Sequence, residues 1–116
     1  DELTLAGPNQ VEVVGSAPAV TLDAEALGLA PAGVEALEGG DATRNLTILR
    51  ELLDGATGPI HDAVVLNAAA ALLAAGVTED AQDAVERSRK ALADGAARQK
   101  MGTWTATTHL AAENQL

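Results

Sequence analysis

The clearest periodicity in the chain lies between residues 42 and 54. Ala42, Leu46, Leu49 and Leu53 recur at three- and four-residue intervals there, while Arg44, Thr47, Glu51 and Asp54 fall on the other side. That spacing predicts an amphipathic helix with one apolar stripe. Asp41 is placed as its N-cap, where a carboxylate accepts N–H groups left without helical partners, and Gly55 suits a left-handed stop. Over residues 60–75 the polar face nearly disappears, which predicts a helix buried almost all round, opened by Pro59 and closed by Gly76. Thr78 is expected to cap a third helix. Its acidic residues (Glu79, Asp80, Asp83) come early and its basic ones (Arg87, Arg89, Lys90) late, the order that complements a helix dipole. Asp94 and Gly95 break the pattern. A last helix is expected from Ala96, with an end obscured by Gly102 and by four threonines, all poor helix formers.

Before residue 41 the vocabulary differs. LTL, VEVV and AVTL read as short strands, punctuated by a turn at Gly7, Pro8 and Asn9 and another over residues 15–18; Val11, Glu12 and Val13 alternate as a half-exposed strand would. Asp23 is expected to cap a short turn ending near Leu27, and Pro31 to open another ending near Leu37. Two or three strands are too few for a stable sheet of their own. The expected fold class is therefore an α/β fragment, with two or three short N-terminal strands followed by packed helices, its edge joining strands not present here.

Composition sharpens this picture in three ways. At 116 residues the chain is long enough for one domain and too short for two. Its hydrophobic fraction of 47% is mostly Ala, Leu and Val, with Trp104 the one aromatic residue, so any core relies on close aliphatic packing. No cysteine is present, which removes disulfides and thiolate metal sites from consideration and favours an intracellular, cytoplasmic setting. The longest apolar run, 68–75, falls far short of the ~20 residues of a membrane span, so a soluble protein is expected. A first residue of Asp1 suggests a piece of something longer.

The net charge is −10, from 7 basic and 17 acidic residues. Residues 1–43 contain no Lys or Arg. Such a segment cannot neutralise a nucleic-acid backbone, and the chain offers almost no aromatic stacking surface, so nucleic-acid binding is not expected. A phosphate ligand in this region would need a divalent cation, or basic residues from elsewhere, to offset the carboxylates.

Few residues offer chemistry. The Gly39–Gly40–Asp41 sequence could cradle a phosphate or simply start a helix; a phosphate would compete with the Asp41 carboxylate for the same donors. His61 and Asp62 allow a proton-relay reading, but neighbouring helical residues diverge by about 100°, which favours first-turn structural roles. Asn67, set among aliphatic residues, calls for a packing-specific hydrogen bond. His109 has no carboxylate or cysteine at ligand spacing. No residue is assigned as catalytic or cofactor-binding. Asp1 and Glu2 could reach one hard cation together, but from the residues alone a solvated acidic chain end is the favoured reading of the pair.

Several stretches taken together resemble one family. DELTLAGPNQVEVV, VTLDAEALGL, LEGGDATRNLTILRELLDG, GPIHDAVVLNAAAALLAAG and RKALADGAA follow the order and spacing of the C-terminal portion of the anthranilate phosphoribosyltransferases. The resemblance extends from Asp1 to about Ala97, and it implies that residues 1–100 form the C-terminal part of the family's larger α/β domain, with residues 101–116 a divergent tail. It implies transfer of a phosphoribosyl group from phosphoribosyl pyrophosphate to the amino group of anthranilate, in tryptophan biosynthesis, by a homodimer with a helical and an α/β domain. It also implies that Asp1 and Glu2 are Mg2+ ligands, reversing the plainer reading of that pair. The family's glycine-rich loop, its basic substrate-positioning residues and its anthranilate pocket lie upstream, in an N-terminal half absent here. The chain alone is then expected to be inactive. The competing expectation is a non-catalytic acidic helical interaction module.

Overall fold

The strand ladder expected before residue 23 does not form. A computed structural model describes residues 2–15 and 19–113, and among these it contains four α-helices, one 3-10 turn and no strand. The α/β expectation is corrected accordingly: within the described residues the fold is helical, with an irregular N-terminal wrap. A strand needs a neighbour that takes its N–H and C=O groups, and here side-chain amides take them instead. Asn67 Oδ1 accepts the Leu3 N–H at 2.9 Å, and its Nδ2 donates to the Leu3 carbonyl at 3.1 Å. Asn9 does the same for Thr4, at 2.8 and 3.0 Å, and also donates to the Leu22 carbonyl at 2.8 Å. The VEVV segment takes no regular secondary structure, and Val14 is 97% exposed. The 15–18 turn lies largely outside the described residues.

The wrap has a purpose in packing. Leu5, Leu22, Ala24, Leu27 and Leu29 are buried against Val65, Leu66 and Ala69 of α2 (Pro59–Ala74) and Ala84 and Val85 of α3 (Ala81–Ala93). Asp23 accepts the Ala26 N–H at 2.9 Å, making the expected short turn, and the Leu5 carbonyl accepts from Ala32 N–H at 3.2 Å. The turn expected to end near Leu37 is a 3-10 helix, Val34–Leu37. Helix α2 packs chiefly on α3, and α4 (Ala96–Glu113) makes a smaller contact with α3.

Helix α1 spans Ala42–Leu53 and is capped as expected, with Asp41 accepting the Arg44 N–H at 2.8 Å and Gly55 at φ +96°. Its burial differs from the expected stripe. Leu52 is the residue it buries fully, whereas Leu46 is 45% exposed. Likewise α2 is not enclosed all round: Val64 is 40% exposed beside fully buried Val65 and Leu66. These apolar faces exceed what the described residues cover.

Two helix ends also differ. The N-cap of α3 is Asp80, which accepts the Asp83 N–H at 2.7 Å, while Thr78 accepts the Asp80 N–H two residues earlier. Helix α4 continues through its threonines, whose hydroxyls fold back on the helix: Thr103 donates to the Gln99 carbonyl at 3.1 Å and Thr107 to the Thr103 carbonyl at 2.9 Å. No helix among the described residues is long and apolar enough to cross a membrane.

Candidate functional site

The Gly-Gly-Asp motif is a helix start in which the Gly40 and Arg44 N–H groups are already taken by side chains. The Asp41 carboxylate occupies an N–H that an anion would need. Asn45, one turn into α1, accepts the Gly40 N–H at 2.9 Å and donates to the Gly40 carbonyl at 3.0 Å. A Cβ on Gly39 would come within 2.5 Å of Asn45 Oδ1, so glycine is required there for the clamp to close. The motif Gly-Gly-Asp-x-x-x-Asn thus describes one local hydrogen-bonded unit.

His61 and Asp62 do meet, despite their angular separation. His61 Nδ1 lies 2.9 Å from Asp62 Oδ1, and both side chains are 17% exposed. The second carboxylate oxygen of Asp62 accepts the Ala30 N–H at 3.3 Å. The pair therefore ties the first turn of α2 to the N-terminal wrap. His61 also lines a small pocket of 160 Å³ with Ala36, Ile48, Glu51, Leu52 and Thr57. His109 is exposed on α4.

Asp1 lies outside the described residues. Glu2 is exposed, one residue from the backbone position that Asn67 fixes at both its N–H and its C=O. A carboxylate so tethered offers the hard oxygen donors that Mg2+ takes, and Mg2+ is commonly held by one or two carboxylates plus substrate phosphates. Among the described residues no group of three or more His, Cys, Asp or Glu could hold a metal ion. Any further oxygens at Glu2 would have to come from other groups.

Nothing in the residue pattern signals the two arginine tethers. Arg89 on α3 donates to the Gly28 carbonyl at 2.8 Å. Arg98 on α4 donates to the Leu53 carbonyl at 2.9 Å, at the C-terminus of α1, and pairs with the Asp54 carboxylate. Cations at helix C-terminal carbonyls are favourable, but both partners are more than forty residues away in sequence.

With this geometry in hand, comparison places the chain. It belongs to the glycosyl transferase family, in the a/b domain, whose family model matches residues 1–98. The relatives are more particular. Anthranilate phosphoribosyltransferase of Desulforudis audaxviator (strain MP104C) is 50% identical over 103 residues, covering 87% of this chain and 30% of the relative. The enzymes of that name from Arthrobacter sp. (strain FB24) and Thermobifida fusca (strain YX) are 41% and 42% identical, covering 93% and 97% of this chain. The chain spans about a third of the length of these curated relatives, 33% and 34% for the latter two. The resemblance read from the five segments is thus upheld, and the chain corresponds to a fragment of such a protein.

Proposed function

We propose that these residues are the C-terminal third of an anthranilate phosphoribosyltransferase, which moves a phosphoribosyl group from phosphoribosyl pyrophosphate to the amino group of anthranilate in tryptophan biosynthesis. The observation that carries this reading is identity of 41–50% across 87–97% of the chain to enzymes of that name. In the complete protein, a cytoplasmic homodimer on this reading, Asp1 and Glu2 supply carboxylate oxygens for Mg2+. The ion, when bound, screens the charge of the leaving pyrophosphate. The chain's own contribution is to hold Glu2 beside the Asn67 clamp and to provide helical scaffold. Lacking the upstream substrate-binding part, the isolated chain does not turn over.

The test replaces the matching 103 residues of the Desulforudis audaxviator relative by this chain and follows product formation against Mg2+ concentration. Asp1→Ala and Glu2→Ala each raise the Mg2+ requirement about ten-fold or more, the scale expected for losing a metal-orienting group. An unchanged Mg2+ profile would remove the two residues from the site. Turnover by the isolated chain would contradict the assignment of the substrate pocket to the missing part.

A non-catalytic interaction module remains the second reading, favoured by one observation: the wrap, α2 and α3 enclose a core of their own. On that reading the isolated chain unfolds cooperatively and the chimera shows no turnover.

A further inference from the structure

The three residues that follow Glu2 are anchored through their backbones. Asn67 takes the N–H and the carbonyl of Leu3, Asn9 takes both groups of Thr4, and the carbonyl of buried Leu5 accepts the Ala32 N–H. The clamp nearest Glu2 is the one on α2, the helix whose Val65 and Leu66 lie fully inside the core. Asn67 is itself fixed to that helix, because its Nδ2 also donates to the Ala63 carbonyl at 3.0 Å. Glu2 is exposed one residue away.

Asparagine is a poorer helix former than the alanines and leucines around it, and a part-buried amide needs partners that an aliphatic side chain does without. Adhesion of the wrap does not call for it, since Leu5, Leu22, Leu27 and Leu29 already bury themselves in the core shared with α2 and α3. Hydrophobic burial is non-directional, however, and fixes no single peptide against the helix. One planar amide does, because it offers an acceptor and two donors in set directions. We infer that Asn67 is a positioning residue for the metal site: by fixing the Leu3 peptide on α2, it sets where the Glu2 carboxylate stands. This rests on the reading that Asp1 and Glu2 hold Mg2+ in the complete protein. A ligand fixed beforehand need not be ordered when the ion binds. Loss of the amide leaves the carboxylate present but unplaced, so affinity for the ion falls while turnover at saturating ion does not.

The experiment uses the chimera in which the chain replaces the matching residues of the Desulforudis audaxviator relative. Mn2+ is the probe, and its binding in the presence of pyrophosphate is followed by electron paramagnetic resonance. Asn67→Ala weakens Mn2+ binding and raises the Mg2+ concentration for half-maximal turnover, each by about ten-fold, the scale for losing a group that orients a metal ligand. Turnover at saturating Mg2+ stays within about two-fold. Without metal or substrate, amide exchange in peptides spanning residues 2–5 quickens by about ten-fold. Asp41→Ala, which removes the cap of α1, lowers Tm by about 2–4 °C and leaves Mn2+ binding unchanged. In the Glu2→Ala background, Asn67→Ala weakens binding by only about three-fold or less, since the carboxylate it positions is gone.

Unchanged Mn2+ binding in Asn67→Ala beside weakened binding in Glu2→Ala overturns the proposal and leaves the metal assignment standing. An equal loss in Asp41→Ala, or a loss undiminished in the Glu2→Ala background, also overturns it, because the amide then serves stability alone. Unchanged binding in Glu2→Ala removes the metal assignment and the proposal with it. If Asn67→Ala does not fold, Asn67→Ser takes its place. A serine can still bond back to the Ala63 carbonyl, as Ser88 does to Ala84 at 2.9 Å, but one hydroxyl cannot hold both groups of Leu3 as well. Failure of that variant to fold overturns the proposal.

Discussion

Asn67 in the middle of α2 holds Leu3, sixty-four residues earlier, by both its N–H and its C=O. The amide also donates to the Ala63 carbonyl at 3.0 Å, one turn back on its own helix, so its two hydrogens and its oxygen are all engaged. A side chain here does what a neighbouring strand would do for an extended segment. The two groups it satisfies belong to the residue next to Glu2. Position of the proposed Mg2+ ligand and stability of the wrap therefore depend on the same amide.

Asn67→Ala leaves both backbone groups of Leu3 without protein partners in a half-buried place. The expected cost is about 1–3 kcal/mol in urea unfolding, the range for orphaning buried polar groups. Asn67→Asp keeps the acceptor for Leu3 N–H but turns a carboxylate toward two carbonyls, so it is at least as costly at neutral pH. A change under about 0.5 kcal/mol for both variants would show that the wrap does not depend on this clamp.

The Gly-Gly-Asp-x-x-x-Asn unit predicts a coupling. Gly39→Ala pushes the Asn45 amide away from Gly40, and Asn45→Ala removes it, so each substitution breaks the same pair of bonds. At this exposed site each costs about 0.5–1.5 kcal/mol. The double variant should fall short of the sum by about 0.5 kcal/mol or more, read from a thermal or denaturant cycle. Strict additivity would mean that the glycine serves some need other than room for the amide.

A third prediction concerns acid. The Thr78 hydroxyl, and then the Arg87 guanidinium 2.7 Å away, hold the Asp83 carboxyl below its ordinary value of 3.8. A carboxylate with a lowered folded pKa stabilises the fold above its ordinary value and loses that contribution as pH falls through the lowered one. The contribution therefore fades below about pH 3.8 and is constant near neutrality. Asp83→Asn should flatten this part of the stability profile and leave its neutral slope unchanged. Because the group is exposed, added salt should shrink the effect. An acid profile identical in the variant would remove Asp83 from the acid response.

The helices were legible because their signals are local. Asp41, Pro59, Gly55 and Gly76 mark boundaries by backbone preferences that act within a turn, and α1 and α2 begin where those residues place them. The N-terminal segment was misread because strand formation is not local. LTL has the right residues, but the partners of Leu3 and Thr4 are the side-chain amides of Asn67 and Asn9, and nothing in the apolar pattern distinguishes an amide partner from a strand. Burial was misread for a related reason: Leu46 and Val64 carry the apolar pattern of covered positions without a cover among the described residues. At the candidate site, the five matching segments identified the family, while the role of Asn45 needed coordinates to show which backbone groups it reaches.

Ala70 tests how tightly the central helix is held. It is half-buried on α2 and packs at the margin of the core near which Leu72 and Leu73 also lie. Ala70→Phe introduces a ring where close packing is set by a methyl group, at an expected cost of about 1–3 kcal/mol. Trp104 makes the test informative, being the one aromatic residue, 64% exposed on a helix that buries none of its described residues. Its emission should already resemble a solvated indole in the native chain. Loss of helical circular dichroism in the variant should therefore occur at lower denaturant, with little accompanying change in Trp104 emission. Coincident, large changes in both signals would show instead that α4 is packed as part of the same cooperative unit.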